Sequence, residues 1–578
     1  MRREAPAQPG RSSSRFLSRW RLIALCSGAG ALEAALLTQL GVQSGMGLAP
    51  QVNAPVPFGA FHDLRWLIVY HNSWPGFLAE AAAVLFARGL LTALTVREAW
   101  PDDIARPAPR VLLTRSIAFT FLVALLLMPW TILLFGLAVV SVSWLFFAAV
   151  PTVLLLAFLV HHGAITSGWW RRAPAPRALG WIALTFAVLT VSAGLTAVSP
   201  RALWVPIAAL TGVFNAWAWF GMVHAVTGTA RSHRFLPLAP AGLAVLLGVV
   251  VGGSAIGFAT VSHPASSRAD AAAAGPDPGN QGGPAQATGK PVLVASGFWS
   301  SWNGKTAPPF SGHYDEQRFS YRGLDAAGRP LPYQSADTQQ PLLQLERLMS
   351  DQVDALYHQT GKPVSIVAES EGSLVAKTYL TASPHAPVST LIMVSPLVQP
   401  ARVYYPPSGV AGWGVVGGLG LQGLSDTVGA ETTVDLAPSQ PFLRSIVQDA
   451  PALRSVLSCP VAGVRQYAVL PLADAVASGN AKPLGIPTAV VPAFHGGLLG
   501  DPNADAMIQD VLGGGSPSDS SLLSVAERII GPASSAWQVP ELPLSINSAW
   551  SQPTSPDSGG VPSCSSIRTE LASQLAAG

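Results

Sequence analysis

Ser370 stands in a segment whose residue types could present a nucleophile. Residues 364–380 read VSIVAESEGSLVAKTYL, an apolar strand-like run followed by a helix-like run, with Ser370 at the junction. Ala368 and Gly372, two positions before and two after the serine, are small, as a tight strand-to-helix turn with an accessible hydroxyl requires. The pattern predicts a nucleophilic serine on such a turn. An ordinary turn that happens to contain a serine is the alternative.

A serine hydroxyl is a weak nucleophile and needs a base, usually a histidine that an acid orients. Two histidines follow Ser370. His385 lies at the far end of the helix that Ser370 begins, about 20 Å along its axis, whereas His495 directly follows the last predicted strand. Asp474 follows the strand before that one. We therefore predict Ser370, Asp474 and His495 as a catalytic set in this chain order.

Acyl transfer also needs hydrogen-bond donors for the oxyanion that forms on the substrate carbonyl. The backbone N–H of Glu371, directly after the nucleophile, is one candidate donor. The other is expected after the first strand, in ASGFWSSW, where the N–H of Phe298 is favoured over that of Trp299. Glu369 and Glu371 flank the serine, and the sequence offers no reason for two acids beside a site that must stabilise negative charge.

The candidate residues are expected at one edge of a sheet. Short apolar runs alternate with helix-like runs, which predicts a mostly parallel sheet covered by helices on both faces. Ligands bind beyond the carboxyl ends of strands in such sheets. A helix is predicted over 338–359, and the predicted strands cover residues 291–298, 318–323, 363–368, 389–396, 464–472 and 487–494.

These motifs resemble those of α/β-hydrolases of the esterase and lipase type. PVLVASGF resembles the oxyanion strand and loop, VAESEGSLVA the nucleophile turn, LADA the acid segment and FHGGLLGD the histidine segment. DLAPSQPFLRSI, residues 435–446, resembles a segment that lipase-like members carry. The resemblance covers about residues 290–514 and implies an α/β-hydrolase fold, a Ser–His–Asp mechanism through an acyl-enzyme, and no metal or organic cofactor.

Three features depart from that family's pattern. Ala368 replaces the first glycine of the turn, Glu369 stands where relatives often have histidine, and Ser296-Gly297 stands where they often have His-Gly. None of these changes removes a catalytic group, but together they leave the substrate open.

The composition of the first 262 residues is that of a membrane protein. The chain has 578 residues, 49% hydrophobic and 11% charged, against a usual charged share of about 25%. Residues 1–262 contain 18 Arg, no Lys and 7 acidic residues, and residues 263–578 contain 16 basic and 24 acidic residues. Because the arginines lie between apolar runs, they indicate membrane topology rather than nucleic-acid binding. Seven spans are predicted, at about 22–42, 75–96, 112–134, 138–160, 178–199, 203–226 and 236–261.

The arginines orient these spans. With the N-terminus in the cytoplasm, 15 arginines face inside, whereas Arg65 and Arg201 face outside and Arg88 lies within a span. Seven spans then leave the acidic second half outside the cell membrane. Residues 64–74 are interpreted as an interfacial segment. The predicted domains are a transmembrane domain (1–262), a flexible linker (263–290), the hydrolase domain (291–514, with an insertion at about 397–459) and a Ser/Pro-rich extension (515–578).

Cysteines and intramembrane charges provide two further expectations. Cys26 lies in the first span, while Cys459 and Cys564 are both on the oxidising exterior side and are a candidate disulfide. Glu33, Glu80 and Arg88 lie within predicted spans, where ionisable groups are costly. The spacing of Glu80 and Arg88, eight residues or about two turns, predicts that both lie on one helix face. They would serve either packing or a substrate path.

The leading functional prediction is a membrane-anchored, extracytoplasmic serine hydrolase that cleaves an ester. Because the linker would hold the active site near the bilayer, the ester could be linked to a lipid. Its partners would be an ester or lipid substrate and membrane lipids, without nucleic acid. An acyltransferase with the same triad is the first alternative. A membrane transporter or sensor with a non-catalytic, hydrolase-like exterior domain is the second, and Glu80 and Arg88 motivate it.

Overall fold

A computed structural model gives the architecture of the two halves of the chain. It describes residues 11–40, 42, 45–70, 73–140, 143–169, 174–229, 289–306, 309–310, 314–397, 415–431, 440–448, 456–457, 459–471, 485–491, 493, 495–517, 523, 537 and 564–577. The first half is helical and the second contains a parallel sheet. Residues 263–288 of the predicted linker, the span predicted at 236–261 and Asp474 lie outside the described residues, while Lys290, the last predicted linker residue, begins the first strand.

The helical half has the lengths and composition of membrane-spanning segments. Of the described helices, five are long and apolar enough to cross a membrane: α1, α3, α4, α6 and α7. Leucines such as Leu125 and Leu210, each 71% exposed, face outward from these helices. The helices are α1 (Arg11–Gln39), α2 (Phe58–Tyr70), α3 (Trp74–Glu98), α4 (Pro109–Val140), α5 (Ser143–Ile165), α6 (Pro176–Val198) and α7 (Trp204–Thr229).

Helix α2 is an internal element of this half, so the interfacial interpretation of residues 64–74 is wrong. Leu64 and Arg65 are fully buried. The non-helical chain before α2 is also buried, and it meets the middle of the long helices: the Asn53 amide donates to Leu25 O (3.0 Å) and Asn215 donates to Pro50 O (2.9 Å). Non-helical backbone at such depth needs partners from protein, and these amides supply them.

The second half is built on a six-stranded sheet in the order β2-β1-β3-β4-β5-β6, and every pair of neighbours is parallel. Strands that are buried on both faces of a parallel sheet do not alternate between apolar and polar residues. Apart from the second strand of the chain, the observed strands coincide with the predicted apolar runs, which confirms the predicted parallel sheet. The strands are β1 (Lys290–Ala295), β2 (Tyr314–Arg318), β3 (Val364–Glu369), β4 (Val388–Val394), β5 (Arg465–Pro471) and β6 (Thr488–Val491).

The second strand was predicted four residues too late, at 318–323. The observed β2 is YDEQR, whose residues are all half-buried because it pairs only with β1 at the sheet edge. Phe319 and Tyr321 are fully buried just after the strand, in the layer beneath a helix. Their apolarity therefore reports core packing and not strand pairing.

Helices cover both faces of the sheet. One face packs under α8 (Leu342–Thr360) and α9 (Glu371–Ala382), and the other under α12 (Pro502–Gly513). The terminal helix α13 (Cys564–Ala577) packs on α9, burying Ile567 and Leu571, and Cys564 is joined to Cys459 by a disulfide. The segment between β4 and β5 contains α10 (Val415–Glu431) and α11 (Pro441–Gln448).

Two segments of the second half contact the helical half. Helix α10 lies against α2 and α4, with Val416 buried in an apolar cluster that includes Ile68 and Phe77. Trp537 is fully buried between helices of the first half: its ring stacks on Phe186 with centroids 4.7 Å apart, and its Nε1–H donates to Thr190 Oγ1 (2.9 Å).

Candidate active site

Ser370 occupies a strained turn between β3 and α9. Its φ is 51° and its ψ is −115°, a combination that residues with a Cβ seldom adopt and that clusters at functional sites. Its N–H donates to Val394 O (2.8 Å) in the neighbouring strand. The sheet therefore holds the turn in place from the side while the hydroxyl points beyond the strand ends.

Small residues allow this turn to approach its neighbours. A methyl group on Gly372 would lie 3.0 Å from both Ala295 Cβ and Ser296 O, so a larger residue would push α9 away from β1. A methyl on Gly297 would lie 2.9 Å from Ser370 Cβ. Ala368 is fully buried at the other side of the turn. Gly297 was not assigned this role from the sequence, because a close approach between β1 and the turn is visible only after folding.

His495 lies within hydrogen-bonding distance of Ser370, with 2.9 Å between its Nε2 and Ser370 Oγ. The two residues are 125 positions apart, and the parallel sheet brings them together because β3 and β6 end at the same edge. His385 is exposed beyond the end of α9. Asp474, the predicted acid, lies outside the described residues, just after β5 ends at Pro471.

The loop after β1 carries the two N–H groups that the sequence suggests as oxyanion donors, those of Phe298 and Trp299. The N–H of Trp299 donates to Thr338 Oγ1 (3.0 Å) and is therefore engaged. This leaves Phe298 as the better of the two candidates predicted there, together with the N–H of Glu371 across the turn. The Phe298 ring stacks on Phe442 of α11, with centroids 5.7 Å apart, so the insertion between β4 and β5 contacts the oxyanion loop.

The two acids beside Ser370 have different surroundings. Glu371 is fully buried, and burial raises the pKa of its carboxyl well above the usual range, although the nearby Tyr321 hydroxyl opposes this. A neutral carboxylic acid is therefore favoured at this position. The Tyr321 hydroxyl itself donates to Ser296 O (2.6 Å), in the loop before Gly297.

Glu369 points to the opposite face of the sheet and accepts hydrogen bonds. Its Oε1 lies 3.2 Å from Leu498 N and 3.4 Å from Leu499 N, both in the loop that carries His495. Burial raises the pKa of Glu369, and the positive charge of His495 and these two N–H groups oppose the increase. One acid is thus paired with donors and the other favours its neutral form, so two free negative charges do not flank the serine.

The intramembrane charges form a separate, internally paired cluster. Arg88 is buried and makes two bonds of 2.6 Å to the Asp63 carboxylate, whose neighbour His62 contacts Glu33 at 2.7 Å. Glu80 is exposed, so the expectation that it shares a face with Arg88 is wrong. Eight residues at 100° each leave them about 80° apart around the helix. Pairing of Arg88 supports a packing role.

Comparison with known proteins identifies no family. No protein-family model matches the chain, and no curated protein sequence matches it. Among solved structures, the crystal structure of Aspergillus fumigatus lipase B is similar over 48% of this chain and 67% of the lipase, with 14% identity and a TM-score of 0.26. Likeness at this level is weak and supports no assignment of function to this chain.

Proposed function

We propose that the second half of the chain is a serine hydrolase of the esterase and lipase type. The observation that carries the proposal is the 2.9 Å contact between Ser370 Oγ and His495 Nε2 at a strained strand-to-helix turn. The hydroxyl, the imidazole and the candidate N–H donors all lie beyond the carboxyl ends of parallel strands, where this fold class binds ligands.

The proposed reaction has two steps. Ser370 Oγ attacks the ester carbonyl carbon while its proton passes to His495 Nε2, and the N–H groups of Phe298 and Glu371 stabilise the resulting oxyanion. The alcohol leaves with the proton from His495, which leaves an acyl group on Ser370. Water, deprotonated by His495, then attacks the acyl carbon; the bond to Ser370 Oγ breaks, the acid leaves, and His495 returns the proton to Ser370 Oγ. Asp474 is assigned the role of orienting His495 and stabilising its charged form.

The helical half supports a membrane-borne substrate. Helix α10 packs through Val416 on the ends of α2 and α3, and α11 of the same insertion stacks Phe442 on Phe298. A continuous insertion therefore links apolar membrane helices with the oxyanion loop. We propose that the substrate is an ester of a membrane lipid and that the insertion guides its acyl chain.

The same contact supports the proposed orientation in a cell membrane. Helix α10 meets α4 near Ile132, which a methyl group on Gly420 of α10 would overlap, whereas Arg110 lies near the start of α4 and Arg97 near the end of α3. Basic residues favour the cytoplasmic side. We propose seven spans, with the sheet-bearing half outside the cell.

Labelling with a fluorophosphonate probe tests the nucleophile. The full-length protein in detergent should be labelled on Ser370. Ser370→Ala should abolish labelling and His495→Ala should slow it at least about 100-fold, because the hydroxyl loses its base. His385→Ala is the matched histidine control and should keep the wild-type rate. Equal labelling of wild type and Ser370→Ala would show that the assignment is wrong.

The source of the substrate is tested with two esters. Val416→Asp should slow hydrolysis of a long-chain ester held in phospholipid vesicles, while hydrolysis of a short, water-soluble ester stays within about twofold, since the insertion affects delivery and not chemistry. Thr427→Asp, at an exposed position of α10, is the control. Equal loss with both esters would contradict delivery from the bilayer.

A further inference from the structure

The loop that carries His495 joins β6 to α12 and contains three glycines. Gly496 and Gly500 have φ values of +72° and +97°, which glycine adopts without strain. Glycine loses more conformational freedom on folding than any other residue. A loop of this composition needs anchors from outside if it is to hold an imidazole within 2.9 Å of a hydroxyl.

Carboxylates supply these anchors on the backbone N–H groups that follow His495. Glu369 Oε1 accepts from Leu498 N (3.2 Å) and Leu499 N (3.4 Å). Asp505 Oδ1, from the first turn of α12, accepts from Gly500 N (3.1 Å). Three successive N–H groups are thus held by acids, and two of them by the residue that directly precedes Ser370.

The register of β3 explains why Glu369 reaches this loop. Alternate residues of a strand face opposite sides of the sheet, so Glu369 lies on the same side as Val367, in the layer beneath α12 that also contains Leu498. Glu369 as a whole residue is only 6% exposed. A buried carboxylate is stable only with hydrogen-bond donors, and the histidine loop provides two.

We propose that Glu369 is a positioning residue, which ties the His495 loop to the strand that carries the nucleophile and so sets the distance between Ser370 Oγ and His495 Nε2. The kinetic consequences of this role depend on the proposed hydrolase function; the structural role does not. Glu369 and Ser370 are neighbours in the chain. The side chain that holds the His495 loop therefore moves together with the nucleophile.

Glu369 also has an electrostatic effect on His495. The two groups attract each other, which opposes the effect of burial on the Glu369 pKa. Among the described residues, Asp505 also acts on Glu369 and repels its charge, and the charge of Glu369 helps to raise the pKa of the Tyr321 hydroxyl. Loss of the Glu369 charge removes a stabilising partner for protonated His495, so the base would stay neutral and active at lower pH.

Two substitutions at Glu369 separate the anchor from the charge. Glu369→Gln keeps an oxygen that accepts from Leu498 and Leu499 but carries no charge, whereas Glu369→Leu removes both. Glu346 supplies matched controls, since it is a buried carboxyl of α8 on the opposite face of the sheet. The corresponding variants are Glu346→Gln and Glu346→Leu.

Kinetics on a water-soluble short-chain ester should distinguish these variants. Glu369→Leu should lower kcat about 100-fold, as expected for misplacement of a catalytic group by about 1 Å, with KM within about threefold. Glu369→Gln should retain kcat within about tenfold, and the acidic limb of its pH–rate profile should move down by about half a pH unit or more. The Glu346 variants should keep the wild-type pH profile. An unchanged profile in Glu369→Gln, or wild-type kcat in Glu369→Leu, would overturn the proposal.

Hydrogen exchange tests the anchor without reference to activity. In folded, full-length Glu369→Leu, the amides of Leu498 and Leu499 should exchange at least about tenfold faster than in wild type, because two hydrogen bonds to a charged acceptor are lost. Glu346→Leu should leave their exchange unchanged. Unchanged exchange in Glu369→Leu would show that the loop is held by other contacts.

If Ser370 is not labelled, the hydrolase proposal fails, and the exchange result still decides the role of Glu369. If Glu369→Leu does not fold, exchange of the same two amides in Glu369→Gln decides it: a neutral acceptor makes weaker hydrogen bonds, so these amides should exchange faster than in wild type.

Discussion

A variant with glycine at position 370 should be more stable than one with alanine there. In regular secondary structure the order is the reverse, and glycine is the less stable of the two. Both substitutions remove the hydroxyl and its hydrogen bond to His495, so these losses cancel in the comparison. The variants differ only in the Cβ, which at φ 51° and ψ −115° is in a strained conformation. Glycine relieves that strain, whereas alanine retains it.

The size of the difference follows from two terms. Strain at such a backbone conformation costs about 1–3 kcal/mol. Against this, glycine loses more conformational entropy on folding than alanine, by about 0.5–1 kcal/mol. Ser370→Gly should therefore be more stable than Ser370→Ala by between about 0 and 2.5 kcal/mol, with about 1.2 kcal/mol as the middle value. For a domain of this size, that middle value corresponds to a Tm difference of about 2–5 °C.

Thermal unfolding of the full-length protein in detergent measures this difference. The transition of the sheet-bearing half is the one that shifts when the disulfide between Cys459 and Cys564 is reduced. Ser350, within helix α8, is the control, where glycine should be less stable than alanine by about 1 kcal/mol. If glycine at position 370 is also less stable than alanine, the turn is not strained and the geometric argument for a presented nucleophile fails.

Four further changes test other parts of the molecule. Gly297→Ala should lower kcat about 100-fold on a soluble ester, because its methyl lies 2.9 Å from Ser370 Cβ and must displace the loop; wild-type kcat would contradict this close approach. Glu371→Gln should flatten the fall in Tm between pH 5 and 9: the folded state, with a raised pKa, keeps a proton that the unfolded chain releases above about pH 4.3, so wild-type stability falls as pH rises. Equal slopes would refute the neutral acid. Cys564→Ser should destabilise the sheet-bearing half by up to about 4.7 kcal/mol, the contribution expected from closing a loop of 105 residues, and this loss should appear as a lower Tm. Reductant should then have no further effect on that Tm. Arg88→Leu should destabilise the helical half by about 3–5 kcal/mol, seen as aggregation on size-exclusion chromatography, because it leaves the buried Asp63 carboxylate without its arginine and with only the His62 imidazole beside it; the double variant with Asp63→Leu should recover, and failure to recover would point to a role beyond pairing.

Local patterns in the sequence predicted the elements that meet at the site. The runs that became β3 and β4 are mostly apolar, and the turn at Ser370 is bounded by small residues. Both signals depend on neighbours within a few positions. The same reasoning misplaced β2, because an edge strand is paired on one side and its half-buried residues carry polar side chains. Apolarity reports burial directly and strand pairing only indirectly.

Long-range contacts account for what the sequence did not reveal. The role of Glu369 depends on N–H groups about 130 positions away, and donors on a backbone have no signature in residue type. The pairing of Arg88 with Asp63 joins residues 25 positions apart, on two helices whose relative rotation the sequence does not specify.

The sequence by itself determined the order of Ser370, Asp474 and His495, the parallel sheet and the apolar helices, because each follows from residue type and short-range spacing. Tertiary structure alone decided that Ser370 and His495 are in contact, that Glu369 holds the histidine loop, and that Glu371 favours its neutral form. These properties arise from burial and from backbone groups that meet only when the strand ends converge, so no local pattern could contain them.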